Sequence, residues 1–295
     1  MARTERVPAV PDATASGLVA LFGRAAAVDG VAPVSEAFRL AVGPARDGVV
    51  HLLRLDHAGA LVGYAQVAGA GTADAVAELV VEPTQRRRGH GRALLEAALS
   101  EGARSVWAHG MLPAAQALAR AAGLVLTRSL HRMTRRLGPA DAVDPALPEG
   151  FSVRPFMPGT DDETWVRLNA AAFADHPEQG RLTVADLRER MAQPWFDPEG
   201  LLLVVDDTTG AVVASHWTKV EAGRGEVYVV GVDPAYQGRG LGGPLTRLGL
   251  AHLARRGVDE VELYVDGDNT AARRTYERLG FTDAAVDGQY TRTST

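Results

Sequence analysis

The sequence predicts an α/β chain built from two similar units in tandem, each a mixed, mostly antiparallel sheet flanked by helices. Three observations carry that prediction. The length of 295 residues is about twice that of an ordinary domain. Short apolar runs bounded by turn residues alternate with longer stretches of helical periodicity. One series of signals also occurs twice: an apolar strand, an acid–proline pair, a Gly/Arg loop and a helical stretch. Pro83 and Pro234 are 151 residues apart (234 − 83), as are Gly89 and Gly240 (240 − 89).

Composition narrows the class. With 46% hydrophobic and 23% charged residues the chain has material for a core and does not read as disordered or coiled-coil. Basic residues number 31 and acidic 36, a net charge of −5 that argues against a general binder of nucleic acid or anionic membrane. The absence of cysteine removes disulfides, thiolate metal sites and cysteine nucleophiles. Among the 31 basic residues only Lys219 is a lysine, a skew that codon bias explains. The most apolar N-terminal stretch, Leu18 to Val34, is interrupted by Arg24, Asp29 and Pro33, short of the ~18 apolar residues a membrane span needs. Met1 to Pro11 lacks the apolar core of a secretory signal, so a cytoplasmic, soluble protein is expected; a monomer is expected separately.

In the first half, strands are predicted at Val49–Leu55, Ala60–Ala68 and Val76–Val81. Glu82 and Pro83 follow, then the loop Arg86, Arg87, Arg88, Gly89, His90, Gly91, then a helix with apolar residues at Leu94, Leu95 and Leu99. Pro139, Pro145 and Pro148 mark a linker over 139–150, which predicts units over 1–138 and 151–295. In the second half, strands are predicted at Leu201–Val205, Val212–Lys219, Val227–Val232 and Val261–Val265. Between the last two lie Asp233, Pro234, the loop Gln237, Gly238, Arg239, Gly240, Leu241, Gly242, and a helix marked by Leu245, Leu248 and Leu253.

The loops suit an anion. Glycine lets backbone approach a bulky ligand, and the amides exposed at a helix start donate to it along a favourable dipole. Gln237 and Arg239 add side-chain donors. A single Gly-rich turn before a helix is weak evidence, and two copies in the same context are stronger. Arg86, Arg87 and Arg88 also fit a solvated basic turn.

Gln237, Gly240 and Gly242 after Val230, Gly231 and Val232, followed by Asn269, Ala271, Ala272, Tyr276, Gly280 and Phe281, resemble the acetyl-CoA signature of the GCN5-related N-acetyltransferase family. The resemblance covers nearly the whole chain. It implies that acetyl-CoA is the co-substrate, that the loop amides of residues 237–243 with Gly238, Leu241 and Gly243 bind the pyrophosphate, and that the pantetheine arm runs beside Val230, Gly231 and Val232 as an added strand. Thr270, Arg273 and Arg274 join the implied cofactor set. By the repeat, Leu79, Val80, Val81, Arg87, Arg88, Gly89, His90, Gly91 and Arg92 form the equivalent set in the first half. Gly231 is expected to mark a bulge or a close backbone approach.

Amine acetylation needs a neutral amine, a polarised thioester carbonyl and a proton for the departing thiolate. Glu226, which strict alternation places on the same face as Tyr228, Val230 and Val232, is the candidate base. Amides near Gly231 are candidate oxyanion donors, given bulged geometry. Tyr276 is the candidate acid. Alone, the glutamate reads as a solvated rim carboxylate and the tyrosine as a half-buried helix residue. Counting back 151 residues from Glu226 gives Ala75, and aligning Gly280 with Gly123 sets Ala119 opposite Tyr276. The first half is therefore expected to bind acetyl-CoA without turning it over.

Finer strings, Gly225 to Pro234, His176 to Gly180, and Leu263-Tyr264-Val265 with Asp268-Asn269, resemble a tandem member of the family. That likeness implies a small-molecule substrate, the cysteinyl amine of a glucosaminyl-inositol pseudodisaccharide. Glu36, Glu178 and Tyr264 are substrate contacts by resemblance, and Lys219, brought near Glu226 by a hairpin through Gly223 and Gly225, is a donor to hydroxyls. If Glu36 and Glu178 touch one ligand, it lies in a cleft between the halves. His176 has no neighbours at metal-ligand spacing, so no metal is expected. Open alternatives are acetylation of an aminoglycoside, a polyamine or a protein N-terminus, and a non-catalytic acyl-CoA-binding regulator, which the presence of both Glu226 and Tyr276 disfavours.

Overall fold

The structure, a computed structural model, describes residues 2–174 and 179–292. In chain order the elements are β1 (Arg3–Val7), α1 (Asp12–Asp29), α2 (Glu36–Leu40), β2 (Val49–Leu55), β3 (Leu61–Ala68), β4 (Val76–Val81), α3 (His90–Ser100), β5 (Ser105–Ala108), α4 (Pro113–Ala121) and β6 (Leu124–Arg136). There follow β7 (Phe151–Pro155), α5 (Asp162–Ala172), α6 (Val184–Met191), β8 (Leu201–Asp206), β9 (Val212–Glu221), β10 (Arg224–Val232), α7 (Gly242–Arg255), β11 (Glu260–Asp266), α8 (Thr270–Arg278) and β12 (Thr282–Arg292). They form two compact units, one of residues 2–130 with 285–292 and one of residues 131–284.

In the first unit the strand order is β1-β2-β3-β4-β5-β12-β6. Every register recorded among β1 to β5 and β12 is antiparallel except that of β4 with β5. Alternation along β2 sends Val50 and Leu52 to a core under α3, and Leu53 to a second core with Leu18, Leu21 and Phe22 of α1. The 18–34 stretch thus contains a surface helix with one buried stripe, ended by Gly30 in the left-handed conformation. Among the described residues no helix is long and apolar enough to cross a membrane.

In the second unit the order is β6-β11-β10-β9-β8-β7, with β10 and β11 parallel. One face packs on α7 through Leu245, Leu250 and Leu253. The other carries an aromatic cluster of Trp165, Trp195 and Trp217 with Tyr228 under α5 and α6. Gly249 in α7 permits that helix to lie on the buried His216, since a Cβ there would come 2.1 Å from the ring.

The compact units divide differently from the expected 1–138, 139–150 and 151–295. The proline-rich stretch belongs to the second unit. There Pro139–Ala142 forms a 3-10 turn, and Arg255 of α7 donates to the Ala142 carbonyl and the Asp144 carboxylate. Proline removes regular structure from a segment without freeing it from the surface it lies on. The end of β12 belongs to the first unit, where Tyr290 pairs with Val106 of β5. A strand's own residues do not announce which sheet it joins.

Each unit contains a fork. The parallel register joins Gly225–Val227 to Val261–Leu263 in the second unit, and Val76–Ala77 to Ser105–Val106 in the first. Beyond those points β10 and β4 continue to pair only with β9 and β3 in the recorded registers, as far as Val232 and Val81.

Candidate active site

The loops at the two forks have the same backbone. In the second unit Gly238 and Gly240 have φ of 77° and 78°; at the positions 151 residues earlier, Arg87 and Gly89 have φ of 62° and 85°. Arg87 holds the left-handed conformation without glycine's freedom, at a cost of order 1–3 kcal/mol. The side chains keep the correspondence: Gln237 donates to the Val232 carbonyl and Arg86, its counterpart, to the Val81 carbonyl. Arg86 is therefore no solvated turn residue, and a bidentate pair at 2.7 Å ties it to Asp29. Leu241 and His90 turn their side chains inward, the latter against Arg54. Gly91, Gly242 and Gly243 lie in the first turns of α3 and α7, whose leading amides have no helical acceptor. Arg239 is exposed and stacks on Tyr236 at 4.5 Å, Arg88 is exposed, and Arg92 pairs with Glu96.

A β-bulge sits at Tyr228, not at Gly231: Val227 pairs with Thr218 and Val229 with Trp217, leaving Tyr228 as the extra residue. Gly231 is needed for the other reason weighed for it, since a Cβ there would stand 2.9 Å from Ala172 and 3.1 Å from Phe173 at the end of α5. Two expectations change with the bulge. Strict alternation fails, because Val227 and Val230 pack toward α7 while Tyr228 and Val229 pack in the aromatic cluster. Glu226 thus shares a face with Tyr228, Val229 and Gly231 and not with Val230 or Val232. The repeat offset also drops from 151 to 150 before the bulge. Glu226 pairs with Lys219, and Val76 with Ala68, at matching places in the two units, so the counterpart of Glu226 is Val76 rather than Ala75. Neither can carry a proton.

Glu226 and Lys219 face each other across the β9–β10 hairpin, whose two turn residues, Ala222 and Gly223, both have positive φ. Lys219 Nζ lies 3.0 Å from Glu221 and 4.0 Å from Glu226, above the rings of Trp195 at 4.9 Å and Tyr228 at 5.5 Å. Arg190 donates to the Tyr228 hydroxyl. The lysine is buried, whereas Glu226 keeps 19% of its side chain open. Trp195 and Arg190 carry no local motif and were not legible as site residues.

Tyr276 of α8 is buried among Val227, Leu263, Leu279 and Phe281, and burial pushes its pKa up to about 12. Asn269 caps α8, accepting from the Ala272 amide, and Arg273 pairs with Asp283 at 2.9 Å, so both side chains have structural partners. Thr270 and Ala271 open the helix and Arg274 is exposed. On β11 Tyr264 is exposed and stands two residues beyond Glu262, which pairs with Glu226; it therefore lies on the same face as Glu226. Glu36 begins α2 in the first unit, 3.7 Å from Arg39. Glu178 and His176 lie outside the described residues. Among the described residues no group of three or more potential ligands is placed to hold a metal ion.

At its fork the first unit has a cavity of about 370 Å³, lined by Leu79–Val81, Arg87, Gly89 and Gly91 on one side and by Val106, Ala119 and Tyr290 on another. Ala119, which aligns with Tyr276 through Gly123 and Gly280, both in the left-handed conformation, lines this cavity. One residue missed in the sequence is Glu78, a buried carboxylate of β4. It accepts from the Ser35 amide at 2.7 Å and lies 3.3 Å from His109, whose other nitrogen is 2.9 Å from Asp287. Burial opposes charge on His109, but Glu78 and Asp287 outweigh it and push its pKa up to about 10. Glu78 is thus committed to an amide and an imidazolium.

The acetyltransferase (GNAT) family profile matches residues 165–281 and an acetyltransferase (GNAT) domain profile matches residues 46–126. The mycothiol acetyltransferase of Streptomyces coelicolor is 50% identical over 279 residues, 92% of this chain and 90% of that one. That of Kytococcus sedentarius is 52% identical over 275 residues, 92% of this chain and 91% of that one. Among solved structures, a tandem GNAT protein from the clavulanic acid biosynthesis pathway has a TM-score of 0.73 at 20% identity, covering 99% of this chain and all (100%) of that one. A GCN5-related N-acetyltransferase from Sphaerobacter thermophilus has a TM-score of 0.69 at 25% identity, covering 98% and 94%.

Proposed function

This chain belongs to the acetyltransferase (GNAT) family, and from that membership we propose that it moves acetyl from acetyl-CoA to the cysteinyl amine of 1D-myo-inositol 2-(L-cysteinylamino)-2-deoxy-glucopyranoside, giving mycothiol and CoA. The shared name of relatives about half identical over nine-tenths of the chain supports the substrate. The observation that carries the reading is the Lys219–Glu226 pair across the β9–β10 hairpin, with the glutamate partly open on the strand that leaves its neighbour at the fork.

Acetyl-CoA is taken with its pyrophosphate on the amides of Gln237–Gly243 and its pantetheine along Val230–Val232, where β10 has an edge to share. An α-amine has a pKa near ~7.7–8.0, so a modest base suffices. Glu226, directly or through a water, accepts the proton as the amine nitrogen bonds to the thioester carbon. The C–S bond then breaks, and Tyr276, held protonated by burial, gives its proton to the thiolate. Lys219 and Tyr264 donate to sugar and inositol hydroxyls. The first unit binds acetyl-CoA without turnover, with Val76 and Ala68 in place of the Glu226–Lys219 pair and Ala119 in place of Tyr276.

The test is CoA formation, followed chromatographically, with the pseudodisaccharide against a panel of plain amines. Strong preference for the pseudodisaccharide is expected. Equal rates on plain amines would overturn the substrate, and no rate on any amine would overturn the catalytic reading.

A further inference from the structure

We propose that the cavity of the first unit selects neutral acyl-CoA thioesters with acyl chains longer than acetyl. This rests on the reading of that unit as a CoA site. With the pyrophosphate on the loop at Gly89 and the pantetheine along Leu79–Val81, the thioester arrives where β4 and β5 part, at Ala77 and Val106. The wall beyond is made by Leu118, Ala119, Leu124 and Tyr290. In the second unit the residue aligned with Ala119 is Tyr276, whose ring packs against Val227 and Leu263 at that unit's fork. Exchanging that ring for the methyl of Ala119 leaves room for roughly a phenol's worth of additional ligand, lined by apolar side chains.

The polar part of the wall sets the charge of what enters. His109 lines the cavity, and its imidazolium is flanked by two carboxylates, Glu78 and Asp287. The other charged residues of the wall, Arg86 with its partner Asp29, Arg87 and Arg92, belong to the loop and the first turn of α3 where the pyrophosphate is taken, so at the far end the two carboxylates beside His109 repel an acyl group ending in a carboxylate. An uncharged chain meets no such penalty and removes its methylenes from water.

The experiment is calorimetric titration of the full chain carrying Gly240→Asp, which sets a carboxylate in the second unit's loop and leaves the first unit to be read alone. The probes are CoA, acetyl-CoA, butyryl-CoA and succinyl-CoA. CoA is expected to bind at one equivalent. Butyryl-CoA is expected to bind on the order of tenfold more tightly than acetyl-CoA, the value for two further buried methylenes, and succinyl-CoA more weakly than acetyl-CoA. Adding Ala119→Tyr is expected to abolish the butyryl gain and spare CoA binding. Butyryl-CoA binding no more tightly than acetyl-CoA, with CoA still bound, overturns the selectivity alone. Loss of all CoA binding in Gly240→Asp, while the native chain binds one equivalent, overturns the underlying reading and the inference with it. If Gly240→Asp does not fold, the same series on the native chain decides: the selectivity stands only if Ala119→Tyr removes a butyryl preference from one of two sites.

Discussion

Replacing Tyr276 with phenylalanine isolates one proton. The ring packs edge-on against Phe281 at 5.9 Å, and phenylalanine keeps that packing and fills the same space. The fold should therefore change by no more than the ~0.5–1.5 kcal/mol net value of one hydrogen-bonding group. Catalysis should change by far more. A positioned acid contributes roughly 10²–10⁴-fold, or about 2.7–5.4 kcal/mol of barrier at 1.36 kcal/mol per decade. The pH dependence makes the test specific. Because burial pushes the pKa of Tyr276 up to about 12, the phenol stays protonated throughout the range in which a protein is assayed. Loss in Tyr276→Phe should then be uniform from pH 7 to 10, with unchanged CoA binding and a thermal midpoint close to native. The assay is single-turnover conversion of acetyl-CoA to CoA on the saturated enzyme. A variant within threefold of native refutes the acid role. A native rate that falls with a midpoint below pH 10 when the variant's does not would keep the acid role and refute the raised pKa of the buried phenol.

Glu226→Gln should lower acetyl transfer by roughly 10²–10⁴-fold with CoA affinity intact, and a native-like rate at pH 7 would remove Glu226 from the chemistry. Gly231→Ala should cost about 1–3 kcal/mol in chemical denaturation, because its Cβ would lie 2.9 Å from Ala172; an unchanged midpoint would show that α5 can withdraw at no cost. The folded pKa of His109, about 10, exceeds its ordinary value near ~6.5, so its contribution to stability is full below about pH 6.5 and lost as pH rises through 10. His109→Gln should therefore be less stable than native by about 3–5 kcal/mol at pH 6, with the gap closing toward pH 10.5; a gap that does not depend on pH would mean that the ring is held neutral.

Much of the fold was legible because apolar runs here end at turn residues. The strands Val49–Leu55 and Val76–Val81 stand where the pattern set them, and both loops precede helices as their glycines and the repeat required. What was hidden depended on partners distant in sequence. Trp195 sits beneath Lys219 without any motif, and the place of β12 beside β5 follows from Tyr290 meeting Val106. Glu78 read as one acid in an apolar strand because its partners, Ser35, His109 and Asp287, come from three other segments. The bulge at Tyr228 leaves no mark in composition or periodicity, yet it governs which residues flank Glu226.

That single inserted residue has a bearing on how the two halves can exchange roles. Writing lysine at 68, glutamate at 76 and tyrosine at 119 would copy the side chains of the second unit into the first, on a strand one residue shorter between Ala77 and the loop. The copied carboxylate would then run in phase with Glu78 and Val80, next to a committed carboxylate where the second unit offers an aromatic ring. Substitution alone cannot restore the frame. A change of chain length separates the frames of the two strands, and it is a step that point mutation does not reverse.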